Sequence, residues 1–495
     1  MSMAEPAETP DPRRWLILVI IGVAQLMVVL DMTIMNIALP SAQHALAFSN
    51  VDRQWVVTAY ALAFGSLLLF CGRLADLLGR KVTFLIGLAG FAGSSAVGGA
   101  AVSFSMLVSA RACQGAFGAV LAPSALSLLT TTFSDPRERG KAFAVFGALA
   151  GGGGAVGLLL GGVLTEYLDW RWCLYVNLFF AGIALIGGSV LIKRQRREAG
   201  SRLDVPGVLA VSGGMFCLVY GLSNAASHSW HAPSTYGFLV AGAVLLVLFA
   251  FWQSKAPDPL LPPRLILDRN RAGAYLSILV VGAGMFGIFL FLVYYLQTTL
   301  GYSPVVTGLA VLPMVACIVI GSNLANIVLL PRLGPKPIIP AAMLLAAIGM
   351  AWLTRIGPHS SYVGYVLGPL LVAGFGLGNI FPTAINTGTF GVDRRDAGVA
   401  SASVNTGQQL GGSIGTALLN TMATSAAATY IASHLHGRPT PALTQLALVH
   451  GYSTAFWWSA GIFTGGAVIS GLLLRPGPLF KRGVEADHTE PAVVA

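Results

Sequence analysis

The sequence predicts an all-α polytopic membrane protein with 14 transmembrane helices, arranged as two six-helix bundles in parallel repeat plus two extra spans. Three observations carry this prediction. The 495 residues are 55% hydrophobic and only 10% charged, whereas a soluble domain carries about 25% charged residues. Apolar segments recur along the whole chain with the basic residues on one side of them. Finally, the second half of the sequence repeats the first.

The apolar segments have lengths suited to helices that cross a bilayer, for which about 20 residues are needed. They lie at 15–38, 55–74, 82–103, 106–133, 142–164, 172–192, 205–224, 236–253, 271–298, 304–330, 337–355, 362–386, 398–426 and 451–474. This even number of spans places both termini on the same side of the membrane. The first segment is too long for a signal peptide and ends without a cleavage site, so we expect it to be retained.

The basic residues fix the orientation, because short cytoplasmic loops are enriched in Lys and Arg. With the N-terminus in the cytoplasm, 24 of the 29 Lys and Arg residues fall in the inner loops and tails. The predicted outer loops receive only Arg53, Arg171, Arg355 and Arg438, and Arg111 alone falls within a span. This distribution accounts for the net charge of +10 without a nucleic-acid partner, and both termini are expected in the cytoplasm.

The internal repeat appears when the sequence is shifted by 258 residues, which places the fifth span on the thirteenth. Under this shift Gly153 and Gly157 fall on Gly411 and Gly415. A repeat that keeps its orientation is typical of two bundles related by an axis along the membrane normal. The predicted parts are an N-terminal tail (1–14), a six-helix bundle (15–192), a two-helix insert with cytoplasmic flanks (193–270), a second six-helix bundle (271–474) and a C-terminal tail (475–495).

Asp31 is the acid that falls deepest in the first span, within the stretch from Leu30 to Pro40. It lies about two turns before the end of the span, roughly 10 Å inside at about 1.5 Å per residue. A carboxylate at this depth costs several kcal/mol unless it is paired, hydrated or protonated. It is therefore a candidate for a protonatable or cation-pairing group that faces a wet cavity, and the alternative is a structural acid that caps a neighbouring helix.

A short motif follows the second span, with the pattern G-x-x-x-D-x-x-G-R-K. Its members are Gly72, Asp76, Gly79, Arg80 and Lys81. The two glycines permit a tight turn between spans two and three, and the aspartate is placed to pair with the arginine or to cap a helix end. We expect this inner loop to fix one conformational state, while the alternative is simple anchoring by positive charge.

These motifs resemble those of the major facilitator superfamily. The loop motif is similar to the superfamily's signature loop, and Leu30 to Pro40 resembles the first span of its 14-span drug:proton antiporter branch. A fourth-span motif of the same branch is matched by Leu107, Arg111, Gln114, Gly115 and Gly118, and Trp170-Arg171-Trp172 with Asn177 resembles its start of span six. The resemblance covers the chain from Trp15 to about Arg475.

The resemblance implies roles for two further groups of residues. The family's arginine at the position of Arg111 is implicated in proton transfer, and an unpaired guanidinium in lipid is costly, so we expect Arg111 and Asp31 to face one cavity. A structural buried arginine is the alternative. In span five, Gly153, Gly157, Gly161 and Gly162 resemble the antiporter motif G-x-x-x-G-P-x-x-G-G, which the family links to preventing leak, and plain helix packing is the alternative.

One position departs from that motif, since Leu158 stands where the family has proline. Without the proline the helix should kink less, which leaves the strictness of exchange open. In the family fold, spans one, four, nine and twelve line the central cavity. The candidates for the substrate cavity are Gln114, Tyr294, Tyr295, Asn379, Asn386, Asn405 and Gln409. Amides of this kind can instead satisfy one another between helices.

The resulting hypothesis is proton-coupled export of hydrophobic or amphiphilic organic compounds, such as antibiotics, across the cytoplasmic membrane. A facilitator, a lipid flippase or a dedicated metabolite exporter of the same fold is the alternative, and a receptor or scaffold is a third class. No G-x-x-x-x-G-K-[ST] motif indicates an ATP-driven pump, and the five scattered cysteines indicate no metal site. We expect a monomer in the lipid bilayer that is not an enzyme, needs no cofactor and is driven by the proton gradient.

Overall fold

The protein is an array of long helices, seen here in a computed structural model. The described residues are 12–49, 52–133, 135–193, 204–228, 232–256, 259–261, 263–392, 397–434 and 440–478. Their long helices are α1 Arg14–Leu46, α2 Arg53–Leu78, α3 Arg80–Gly99, α4 Phe104–Thr132, α5 Pro136–Tyr167, α6 Trp172–Leu191, α7 Val205–His228, α8 Pro233–Gln253, α9 Arg269–Thr299, α10 Pro304–Leu333, α11 Pro335–Leu353, α12 Tyr362–Thr389, α13 Ala397–His434 and α14 Pro441–Leu473. Each predicted apolar segment overlaps one of these helices. A five-residue helix, Pro263–Leu267, precedes α9.

Within the described residues, 11 of these helices are long and apolar enough to cross a membrane by length and composition. The other three long helices are α2, α5 and α13. All three overlap predicted apolar segments, and α13 is the one in which Ser, Thr, Asn and Gln are frequent.

The signature motif is more helical than the sequence predicts. Helix α2 continues through Gly72 to Leu78, and α3 begins at Arg80. Only Gly79 forms the turn, with a φ of 93° that favours glycine. The prediction that Gly72 shapes a turn was therefore wrong, because a helix can extend beyond its apolar stretch. The side chain of Asp76 lies outside the described part of the chain, and Lys81 donates to the Ser189 carbonyl at 2.7 Å.

Glycines make equivalent helix contacts in the two halves. A Cβ on Gly153 would lie 3.1 Å from Val29 of α1, and a Cβ on Gly157 would lie 3.1 Å from the Cβ of Thr33. In the second half, Gly411 and Gly415 of α13 approach Leu279 and Ala283 of α9 in the same way. Small residues allow backbones to approach closely in membrane proteins. The sequence repeat thus corresponds to a repeated pair of tightly packed helices.

The halves contact each other at the predicted outer end. Tyr294 of α9 donates from its hydroxyl to Gln43 of α1 at 2.6 Å. Gln297 donates to the Ile37 carbonyl at 3.2 Å. Helix α2 also packs along α13, and α5 packs along α10. These contacts join the two halves on either side of the middle of α1, the part of the helix that carries Asp31.

The hairpin α7–α8 lies on one flank of this assembly. Helix α7 contacts both α2 and α13. Ser212 donates to the Ser66 carbonyl at 2.6 Å, and the Ser223 carbonyl accepts from Gln54 at 3.2 Å. The insert therefore packs over the line where α2 of the first half meets α13 of the second.

Candidate functional site

Asp31 and Arg111 form a buried ion pair between α1 and α4. Nη1 of Arg111 lies 2.6 Å from Oδ2 of Asp31. The two residues are 1% and 2% exposed. Each charge offsets the desolvation of the other, as a buried pair requires. The structure therefore brings together Asp31 and Arg111, which the sequence analysis identified from the energetic cost of a charge within the membrane.

Three polar side chains complete the surroundings of the carboxylate. Oδ1 of Asp31 accepts from Gln114 of α4 at 3.0 Å and from Asn177 of α6 at 2.8 Å. The hydroxyl of Ser95 on α3 in turn lies 2.7 Å from Nε2 of Gln114. Four helices thus converge on one carboxyl group, and each of its direct partners is a hydrogen-bond donor.

Arg111 is held from several directions at once. Its Nε donates to the Val56 carbonyl of α2 at 3.1 Å, and its Nη1 also donates to Gln114 at 3.0 Å. Its guanidinium lies over the ring of Tyr60, with Cζ 4.5 Å from the ring centroid. These contacts fix the charge in place, because a buried guanidinium needs its donors satisfied.

Glycines of α5 position the acid from behind. Gly157 faces Leu30 and Thr33, the residues on either side of Asp31 along α1, and a Cβ at Gly161 would lie 3.0 Å from the Cα of Ile34. The predicted glycine face therefore packs against the segment that carries the carboxylate. Gly162 lies apart from this face, because its Cβ would meet the Pro304 carbonyl of α10 at 2.8 Å.

A small cavity adjoins the pair on the side of the second half. It has room for about one water molecule. The residues that line it are Met32, Met35, Val57, Tyr60, Ala61, Arg111 and Gln409. Gln409 is the one member from the second half, and its amide lies 3.7 Å from the sulfur of Met32. The cavity thus lies between α1, α2, α4 and α13, not between spans one, four, nine and twelve.

A family model described as Major Facilitator Superfamily matches residues 21–416, well over half of the chain. The protein belongs to the Major Facilitator Superfamily. It is accordingly a multi-pass protein of the cell membrane. It is similar to a puromycin resistance protein of Streptomyces alboniger, with 49% identity over 98% of this chain and 95% of the relative.

Two further relatives of this protein have names that describe export. The cephamycin export protein of Amycolatopsis lactamdurans is 38% identical over 84% of this chain and 87% of its own length. The tetracenomycin C resistance and export protein of Streptomyces glaucescens is 34% identical over 85% and 78%. Among solved structures, an inward-facing bacterial homologue of the human lysosomal transporter Spinster shares the fold, with a TM-score of 0.65, 15% identity and coverage of 98% of this chain and 100% of that one.

The other predicted cavity residues of this Major Facilitator Superfamily protein lie apart from the pair. Tyr295 donates from its hydroxyl to the Gly357 carbonyl at 2.8 Å, within the second half. Asn379 is buried and donates to the Phe375 carbonyl at 2.8 Å. Two more candidates are exposed, Asn386, which donates to Asn326 at 2.8 Å, and Asn405. Only Gln114 and Gln409 of the predicted amides adjoin Asp31 or its cavity.

One charged residue near the site was missed by sequence reasoning. Arg53 was assigned to an outer loop, but the structure buries it at the start of α2 with 3% exposure. Its Cζ lies 4.1 Å from the ring centroid of Tyr294. Arg53 lies two residues before the apolar segment. Nothing in the sequence there indicates burial, because the helices that cover Arg53 are distant in sequence.

Proposed function

We propose that the protein exports hydrophobic or amphiphilic organic compounds, such as antibiotics, across the cytoplasmic membrane in exchange for protons. The observation that carries this proposal is the carboxylate of Asp31, buried at 1% exposure beside a cavity between the halves. The resistance and export functions for which three relatives are named support the direction of transport and the substrate class.

The donors around Asp31 suggest how a proton drives the cycle. Arg111, Gln114 and Asn177 all donate to the carboxylate, so a proton added to that group displaces one of these donors or requires an amide to turn its oxygen toward it. Protonation must therefore break at least one contact and loosen α1 from α4 or α6. Loss of the proton restores these contacts, and the two arrangements are the states that exchange requires.

The topology belongs to the same proposal. We infer that all 14 long helices cross the bilayer and that both termini lie in the cytoplasm. The distribution of Lys and Arg supports this orientation. In this arrangement the contacts between Gln43 and Tyr294 lie at the outer face, and the pathway is closed toward the outside.

Asp31→Asn tests the proposal in proteoliposomes that carry a proton gradient. We expect loss of uphill tetracenomycin C export and of substrate-dependent proton flux, since the amide cannot take up and release a proton. Insertion should persist, because an amide can still accept from Gln114 and Asn177. Asp169→Asn is the matched control, an acid whose side chain is 48% exposed, and it should transport normally. Gradient-driven export at the wild-type rate by Asp31→Asn would refute proton coupling at this residue and favour a facilitator.

A further inference from the structure

Three charged residues are buried among the residues that the structure describes, namely Asp31, Arg53 and Arg111. Asp31 and Arg111 cancel each other as a pair. Arg53 is 3% exposed, and no described carboxylate forms an ion pair with it. The buried side chains among the described residues therefore carry one unit of positive charge in excess.

The guanidinium of Arg53 is also short of hydrogen-bond acceptors. Its Nη1 has no hydrogen-bond partner. Its Nε is 3.4 Å from Oδ1 of Asn420, beyond the usual range of about 2.7–3.2 Å. The oxygens of two nearby amides each accept from another side chain, since Gln43 accepts from Tyr294 and Gln54 accepts from Asn420. A buried donor without an acceptor is costly.

Arg53 lies between the halves and next to the acid site. It belongs to α2, while the rings of Tyr294 and Phe291 on α9 lie 4.1 and 5.8 Å from its Cζ. Three residues along α2, the Val56 carbonyl accepts from Arg111, which places the two sites about one helical turn apart, roughly 5 Å. A compound that passes between α2 and α9 at this end would therefore meet Arg53.

The aromatic contacts compensate only part of the cost of burial. A cation over an aromatic ring gains only a modest stabilisation. Removal of an ion from water costs more than this, even after relaxation of the protein. Because no described carboxylate lies within ion-pair distance of Arg53, an anionic or carbonyl oxygen from a bound molecule would supply the missing acceptor.

We propose that Arg53 binds an oxygen acceptor of the exported compound, so that the carrier selects acidic or uncharged compounds over organic cations. This inference rests on the proposed export function and specifies its substrate class. The excess of positive charge is one unit when Asp31 is ionised and two when it is protonated. Organic cations are therefore repelled in both states of the cycle.

Thermal stability without ligand separates this role from a structural one. Arg53→Met removes the uncompensated charge and keeps an apolar stem against Tyr294, so we expect an unchanged or higher Tm. Arg355→Gln is the control, an exposed arginine in a predicted outer loop, and it should leave Tm nearly unchanged. A clear fall in Tm for Arg53→Met alone would show that Arg53 holds the halves together, which would overturn the proposal.

Equilibrium binding in nanodiscs tests the charge preference directly. The probes are three dansyl compounds of similar size, dansylglycine as the acid, dansylamide as the neutral compound and dansylethylenediamine as the cation. In the wild type we expect the acid to bind at least about tenfold more tightly than the cation, equivalent to about 1.4 kcal/mol. Arg53→Gln should abolish that ratio, while Arg355→Gln should retain it.

Two results would count against the proposal in this assay. One is equal binding, or no binding, of the three probes to the wild-type protein. The other is an acid-to-cation ratio that persists in Arg53→Gln. The binding assay uses no proton gradient, so binding of the three probes to Asp31→Asn can be measured in the same way. If the Arg53-dependent preference holds while proton exchange is absent in proteoliposomes, only the proposed coupling fails.

Discussion

At the scale of single residues, Arg111 is the link between the acid and its surroundings. One nitrogen, Nη1, donates to both Asp31 and Gln114, while Nε donates to the Val56 carbonyl. A side chain with this many fixed partners cannot be exchanged for lysine without loss, because a lysine lacks the planar fork of donors. The charge of Arg111 and its geometry both act on the carboxylate of Asp31.

Arg111→Gln should impair export and shift its pH profile. The variant leaves the buried carboxylate of Asp31 without its counter-charge, and a buried charge that loses its partner is costly. Transport by proteoliposomes across a series of pH values, with the gradient held constant, measures this shift. An unchanged pH profile would show that Arg111 does not act on the proton.

The double variant with Asp31→Asn completes this test. Residues that act as a unit give non-additive losses, so the double variant should be hardly worse than either single one. Substrate affinity and transport rate are compared across the four proteins. Losses that add in both quantities would separate the two residues and contradict the coupling through a pair.

The sequence identified Asp31 and Arg111 but did not identify Arg53, and the reason is physical. An acid and an arginine inside apolar segments are visible in the sequence itself, so Asp31 and Arg111 could be found without coordinates. Arg53 lies at a segment boundary, where a basic residue is ordinary. Its burial results from α9 and α13, more than 200 residues away, and no local pattern reports such contacts.

At the scale of helices, the pairing of α1 with α5 has a counterpart in α9 with α13. Gly153 and Gly157 face Val29 and Thr33, while Gly411 and Gly415 face Leu279 and Ala283. Both helices keep the same register with their partners, so position 31 of the first half corresponds to Val281 of the second. The two halves share their packing, but only one of them carries the acid.

Gly157→Ala should lower stability and impair export. The added methyl would contact Thr33 and lie 3.4 Å from the Cα of Leu30, and overpacking of this kind costs about 1–3 kcal/mol. Gly93→Ala is the control, since a methyl at that helical glycine meets no atom within 4 Å and should be neutral or slightly stabilising. Thermal unfolding and export rate are measured for both, and equal behaviour of the two variants would contradict a role for this contact.

The ends of the helices were harder to predict than their existence. Hydropathy detects the part of a helix that matches the apolar thickness of the bilayer, about 20 residues. Helix α14 begins at Pro441, ten residues before its predicted apolar segment, and α2 extends through the signature motif to Leu78. The projecting turns are polar or mixed, so they resemble loops in sequence even though their backbones are helical.

At the scale of the whole molecule, α5 and α10 are joined at the predicted outer end by Glu166. Its carboxylate accepts from the Val305 backbone N–H at 2.9 Å. Hydrogen bonds from the Ser303 side chain and from Val305 lower the pKa of Glu166 below its ordinary value of 4.5. This contact connects the first half to the start of a helix in the second.

Glu166→Gln should therefore favour opening at this end. Because the pKa is lowered, the stabilisation is present at neutral pH and is lost as the pH falls below 4.5 through the lowered value. Spin labels at Val102 and Val363, exposed sites in the two halves, report the distance across this end by pulsed electron paramagnetic resonance. Glu166→Gln at neutral pH should show a several-fold larger fraction of long distances, as the wild type should in acid.

The matched control is Glu138→Gln at the other end of α5. Glu138 pairs with Arg14 at 2.7 Å within the first half, so its neutralisation should leave the distance across the outer end unchanged. Equal distance distributions for the wild type and Glu166→Gln would show that this contact does not bias the conformation.

The α7–α8 insert makes the two seams between the halves different. It packs across the seam where α2 meets α13, and no comparable contact joins it to α5 or α10 among the described helices. A hydrophobic compound dissolved in the lipid leaflets would find the first seam shielded and the second one bare. The approximate symmetry of the two bundles therefore does not extend to the surfaces that they present to the bilayer.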